Sequence, residues 1–245
     1  MQTLTEWRDS KEVKKLEAMS DGEFYSTAFN RDPARAIYND PSVFYSPADG
    51  VILYAKDEVM PTEAIVAVKG RNFTVRDLLA DHRYEHPSLV IGIFMTKYSV
   101  HVNRAPTRGF INQIRTTPFL FTPNASMISE EEDILESNPD PKDMAYMFQN
   151  ERCVSEIYCP DIRGNYFIVQ VAEKDVNEIV NWGDGGFFQQ GDRFGLLRFG
   201  SQVDLVIPLT GRVSYESIIP ENMVVGAGVD ALVKIKPKKQ WPTPA

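Results

Sequence analysis

A hydroxyl follows a glycine at Gly200-Ser201, inside the stretch GLLRFGSQVDLVIP at 195–208. The stretch alternates as a β-strand does, with Leu197, Phe199, Val203, Leu205 and Ile207 on one face and Arg198, Gln202 and Asp204 on the other. Ser201 therefore stands within the apolar set, directly behind the residue type that leaves the backbone freest to bend. One reading is a buried serine bonded to a neighbouring carbonyl. The other is a nucleophile, which needs a base in hydrogen-bond reach, and the base works best when a carboxylate orients it. Of three histidines, His82 and His86 lie in the polar stretch DHRYEHP, which reads as a surface loop. His101 sits between Val100 and Val102 in KYSVHVNRAP and is the best-placed base. Asp49, in the turn SPADG at 46–50, is the carboxylate that ends one strand run and opens the next, although Asp-Gly alone is only a turn signal.

These residues need a frame, and the frame reads as β. VFYS, GVILYA, AIVAVKG, LVIGIFMTKYSVHV, GFINQI, CVSEIYC and NYFIVQVA are short runs rich in β-branched and aromatic residues. After Ser201 the chain continues as VDLVIP, GRVSY and ALVKIK, three further strands. Helical patterning is peripheral: residues 4–19 place Leu4, Trp7, Val13, Leu16 and Met19 near one face, and TVRDLLADH at 74–82 reads as a short helix. SEEEDILESNPDPKD, 129–143, is an acidic, solvated loop or short helix between strands. The expected fold class is α+β, mainly β: one domain over 1–245 of antiparallel, barrel-sandwich-like sheets with peripheral helices and no dividing linker.

Composition excludes several classes. The net charge of −8 argues against nucleic acid as a partner, since binding phosphates needs a basic surface. Lys234, Lys236, Lys238 and Lys239 read as a solvated strand edge. MQTLTEWRDSKEVKK is no signal peptide, and the longest strongly apolar run, LVIGIFM at 89–95, is too short to span a bilayer. Cys153 and Cys159 make no disulfide framework, and no His or Cys spacing marks a metal site. A cytoplasmic, reduced, metal-free protein is expected.

In order along the chain, SPADG, VKGRNFTVRDLL, VHVNRAP, NER and GLLRFGS resemble the motifs of the phosphatidylserine decarboxylases, and FNRDPARAI resembles the arginine-containing segment ahead of SPADG. The resemblance runs from about residue 29 to about residue 236. It implies a precursor that cuts itself between Gly200 and Ser201 into a β chain, 1–200, and an α chain, 201–245, which stay together as a heterodimer. It implies a processing triad of Asp49, His101 and Ser201, and a pyruvoyl cofactor made from Ser201 that forms a Schiff base with the substrate amine and accepts the electrons left by departing CO2. His101, freed from the serine by the cut, is then the acid that reprotonates the product. Three departures stand out. Phe199-Gly200-Ser201-Gln202 replaces the Leu-Gly-Ser-Thr of many relatives. Lys97-Tyr98-Ser99-Val100-His101 keeps only the second histidine of a Tyr-His-Arg-Val-His stretch, leaving Tyr98 where the first would be. No hydrophobic N-terminal anchor is present.

The implied substrate is phosphatidylserine, converted to phosphatidylethanolamine and CO2, with peripheral contact at a membrane. Phe119, Leu120 and Phe121, between Pro118 and Pro123, would be the contact if they form a loop tip, and a core strand cut short by prolines if they do not. The same chemistry on a soluble amino acid is the second reading. A third is an uncleaved lipoyl- or biotinyl-like barrel module, suggested by VVGAGVDALVKIK, although no modifiable lysine sits in VVGAGVDA. Ordinary serine hydrolysis lacks its G-x-S-x-G. A homo-oligomer is compatible with all of these.

Overall fold

A computed structural model of the protein describes residues 1–68, 70–117, 127–136, 144–173, 179–182, 186–198, 201–210 and 213–237. Phe199, Gly200, Phe119, Leu120, Phe121, Lys238 and Lys239 lie outside the described residues.

In chain order the strands begin with β1 (Gln2–Thr3), β2 (Val43–Tyr45), β3 (Gly50–Val59), β4 (Ala64–Val68), β5 (Arg71–Thr74) and β6 (Ser88–Met95). They continue with β7 (Val102–Arg104), β8 (Gly109–Thr116), β9 (Arg152–Cys159), β10 (Gly164–Val171), β11 (Ile179–Asn181) and β12 (Phe187–Phe188). The last are β13 (Arg193–Leu197), β14 (Ser201–Pro208), β15 (Val213–Ser217), β16 (Met223–Val225) and β17 (Ala231–Pro237). Nine of them form one sheet in the order β1-β16-β3-β6-β14-β10-β9-β8-β12, and the smaller sheets are β11-β13-β7, β15-β17-β2 and β4-β5. Every pairing among the described residues is antiparallel. The fold is thus mainly β, as expected, but the large sheet is open, with β1 and β12 at its edges, rather than closed into a barrel.

The middle of the sheet is covered on both faces, which is why β6 and β14 are buried along their whole length. Phe94, Val171 and Val206 enter one core; Ile93, Met95, Val203 and Leu205 enter the other. Close approach of backbone and ring fixes one position: a Cβ at Gly92 would lie 2.4 Å from the Tyr54 ring, which crosses β6 at that point. Gly92→Ala should therefore lower stability by roughly 1–3 kcal/mol through overpacking, read as a reduced urea midpoint.

Two expectations change. The single helix over 4–19 is two helices, α1 (Leu4–Arg8) and α2 (Lys11–Glu17), because Ser10 takes an extended backbone and caps α2 by accepting from the Val13 N–H. The stretch GLLRFGSQVDLVIP is likewise not one strand. β13, which ends at Leu197, pairs with β7 and β11, and β14, which starts at Ser201, pairs with β6 and β10, so the two strands belong to different sheets.

Candidate active site

Ser201 opens β14 opposite Met95 of β6 and is fully buried. Its Oγ donates to the Met95 Sδ at 3.5 Å. A thioether sulfur is a weak acceptor, so the hydroxyl proton is loosely committed and no carbonyl claims it among the described residues. Asn103 Nδ2 reaches the same sulfur at 3.6 Å, and Asn103 Oδ1 accepts from Gln170 Nε2 at 2.8 Å. Gln170 Oε1 is buried without a partner.

His101 lies two residues before Asn103 and is also fully buried. Its carbonyl accepts from the Leu197 N–H at 3.1 Å, which fixes it beside the end of β13, four residues from Ser201. The ring stacks on Phe29 with centroids 4.4 Å apart. Neither ring nitrogen has a hydrogen-bond partner among the described residues. Burial, reinforced by the charge of Arg31, drives the imidazole pKa down to about 3; the nearby Ser99 backbone works the other way without reaching hydrogen-bond geometry. The imidazole is therefore neutral at physiological pH, the form a base requires.

Asp49 is placed differently from a triad carboxylate. Arg35 grips it with Nη1 at 2.5 Å and Nη2 at 2.8 Å, and the Ala227 N–H donates to it at 2.7 Å. The pair raises the Arg35 pKa despite the burial that opposes it. Val51, Phe94 and Gln202 form one cross-strand row, so Asp49 and Ser201 sit at the same end of the sheet, separated by two strand spacings, or about 10 Å. The structure thus brings the three predicted residues to one end of the sheet without joining them: His101 is bonded to neither Asp49 nor Ser201. Beside Asp49 a cavity of about 370 Å3 is lined by Asp49, Gly50, Arg31, Tyr98 and Ser99, and neither His101 nor Ser201 lines it. Tyr98 has its pKa raised by burial and lies beside Lys97, whose Nζ stands 5.1 Å from the ring centre. His82 and His86 are exposed, as expected.

The segment FNRDPARAI ties these parts together. Phe29 covers His101, Arg31 donates to the Tyr98 carbonyl at 2.6 Å, Asp32 accepts from Arg104 at 2.6 Å and from Arg193, and Arg35 holds Asp49. Sequence reading had the segment but not these roles, and it missed Met95, Asn103 and Gln170. For Asn103 a signal existed, since it shares the buried alternation of His101 in VHVNRAP.

A buried serine at a strand start and a neutral, unpartnered imidazole close by are the equipment of a nucleophile and its base. A sequence profile described as phosphatidylserine decarboxylase matches residues 23–231. Two similar proteins, each named phosphatidylserine decarboxylase proenzyme, come from Azorhizobium caulinodans and Beijerinckia indica subsp. indica. They are 32% and 30% identical over 205 residues, covering 83% of this chain and 71% and 68% of theirs. This chain belongs to the phosphatidylserine decarboxylase family, and is a decarboxylase.

Proposed function

We propose that the protein is made as a precursor, cuts itself between Gly200 and Ser201, and decarboxylates phosphatidylserine to phosphatidylethanolamine. The observation that carries this is the Ser201 hydroxyl, buried and held among the described residues only by a thioether, at the end of the sheet where His101 is neutral and has no ring partner among those residues. His101 takes the Oγ proton, Oγ bonds to the Gly200 carbonyl carbon, and the Gly200–Ser201 C–N bond breaks to leave an ester. Loss of the Ser201 Cα proton then breaks the Cβ–Oγ bond and releases Gly200 as a carboxylate. Water replaces ammonia at the dehydroalanine that remains, giving a pyruvoyl end on residues 201–245.

The residues present fit such a group. The site is buried, Ser201 is small, and its surroundings hold orphaned polar atoms on His101 and Gln170 beside the Asn103 amide. Bound there, a pyruvoyl group supplies the electron sink for loss of CO2. His101 then returns a proton to the carbon that lost the carboxylate, and burial under Phe29 keeps water away from that carbon. The two cleaved chains stay together through β14, which pairs with β6 and β10 of the larger chain.

No helix among the described residues is long and apolar enough to cross a membrane. Intact-mass measurement of freshly folded protein should give two chains, 1–200 and 201–245, the smaller blocked to Edman degradation. Phosphatidylserine in mixed micelles should yield CO2, and free serine should not. A single unblocked chain overturns the cleavage, and CO2 from free amino acids alone overturns the lipid substrate.

A further inference from the structure

Gln202 and Asp204 follow Ser201 on β14 but project from the opposite face of the sheet, into a polar cluster that the cleavage chemistry does not use. Both are fully buried, and so are their partners Tyr54, on β3, and Tyr146, on the short helix Tyr146–Gln149. The Tyr146 hydroxyl donates to Gln202 Oε1 at 2.7 Å. Gln202 Nε2 donates to both Asp204 oxygens and to the Tyr54 hydroxyl oxygen, each at 3.0 Å. Tyr54 reaches across Gly92 and donates its own proton to Asp204. Each donor meets an acceptor as long as Asp204 is ionised; a proton on Asp204 puts a second donor where Tyr54 and Gln202 already donate.

We propose that Gln202, Asp204, Tyr54 and Tyr146 are positioning residues for self-cleavage, clamping the strand one residue past the scissile bond so that the Ser201 Oγ is held toward the Gly200 carbonyl. The clamp grips from the reverse face, so none of its own polar groups competes for the Ser201 hydroxyl. After the cut it keeps residue 201, now a chain end, from fraying out of the sheet. The inference rests on the self-cleavage reading above. A one-ångström error at a reacting centre costs large factors in rate, which is what such a clamp prevents.

The pH response gives the clamp a signature. Burial lifts the Asp204 pKa to about 7, against the Tyr54 and Gln202 hydrogen bonds and the charge of Arg152 on β9, which lower it. Of the groups facing it, Tyr54 is pushed well above its ordinary value and Arg152 remains a cation. His101 is neutral throughout this range. The clamp should therefore loosen as pH falls through about 7.

The test follows precursor from cell-free synthesis by intact mass from pH 5.5 to 8.5. Wild-type cleavage should slow as pH drops through about 7. Tyr146→Phe, which removes one hydroxyl, should slow cleavage about five- to tenfold at every pH and keep the inflection, the effect of one lost buried hydrogen bond. Asp204→Asn should slow it and erase the inflection. Wild-type rates in Tyr146→Phe and Tyr54→Phe, or an inflection that survives in Asp204→Asn, overturn the proposal. If Asp204→Asn does not fold, the two tyrosine variants decide: slowed cleavage in both supports the clamp and a wild-type rate in both overturns it. An uncut wild type would instead overturn the self-cleavage reading itself.

Discussion

Ser201→Ala stays a single chain of 245 residues, and His101→Ala cleaves on the order of 10⁴-fold more slowly than the wild type. Alanine at 201 has no atom that can take over the acyl group, so no residual route exists. At 101 the loss is of the base, and the other two histidines are exposed in the 81–86 loop and cannot replace it. Asp49→Ala should act differently, because its carboxylate is bonded to Arg35 and the Ala227 amide rather than to the imidazole. The Arg35 and Asp49 side chains are only 9% and 19% exposed, so removing one partner leaves a charge poorly solvated, at a cost of about 3 kcal/mol in stability. Its folded fraction should cleave faster than His101→Ala, since the imidazole that accepts the proton is still in place. Asp49→Ala with Arg35→Gln separates the two roles by removing the stranded charge: stability should recover, and any cleavage defect that persists belongs to orientation. Cleavage time courses by intact mass decide all four. Normal processing in His101→Ala would move the base elsewhere.

The strands were readable because one rule, period two, governs them, and β3, β6, β9 and β10 fall where their β-branched runs lie. The periodicity has nothing to say about which sheet a strand joins. The alternation through GLLRFGSQVDLVIP survives a change of sheet, because Leu197 before it and Val203, Leu205 and Ile207 after it pack in the same core. Ser10 divided a helix whose apolar spacing looked continuous, a cap outweighing a pattern. At the site, the residue types Asp49, His101 and Ser201 could be picked from local context. Their actual partners could not, since Tyr54 lies 148 residues from Gln202 and Tyr146 lies 56 from it. Arg35 is only 14 residues from Asp49, yet nothing in a turn sequence shows that an arginine folds back onto it. Gly92 was the most legible of the missed signals, an isolated glycine in an apolar strand that marks the close passage of a side chain.

Two buried groups should set opposite slopes in the pH dependence of stability. The folded His101 pKa is about 3 against an ordinary 6.5, so between those values the unfolded chain binds a proton that the folded one does not. Its contribution is present above pH 6.5 and is lost as pH falls toward 3. Asp204 runs the other way: its folded pKa is about 7 against 3.8, so its contribution is present below 3.8 and is lost as pH rises through 7. Each shift spans roughly 3 pH units, and each unit is worth about 1.4 kcal/mol, so either group alone moves stability by roughly 4 kcal/mol. In the wild type the two offset one another from about pH 4 to 6.5. Asp204→Asn should uncover the histidine slope, with stability climbing by roughly 4 kcal/mol from pH 3 to 6.5. His101→Gln should uncover the carboxylate slope, with stability falling by a similar amount as pH rises from about 4 to 7. Urea unfolding in a Ser201→Ala background keeps every variant as one chain, and the remaining titrating groups, such as the half-buried Glu131 carboxyl, are common to all and cancel in the differences. Difference curves of opposite sign are the expected result. An Asp204→Asn profile parallel to that of its parent would mean that the Asp204 pKa is not raised by folding, and the loosening of the clamp as pH falls through about 7 would lose its physical basis.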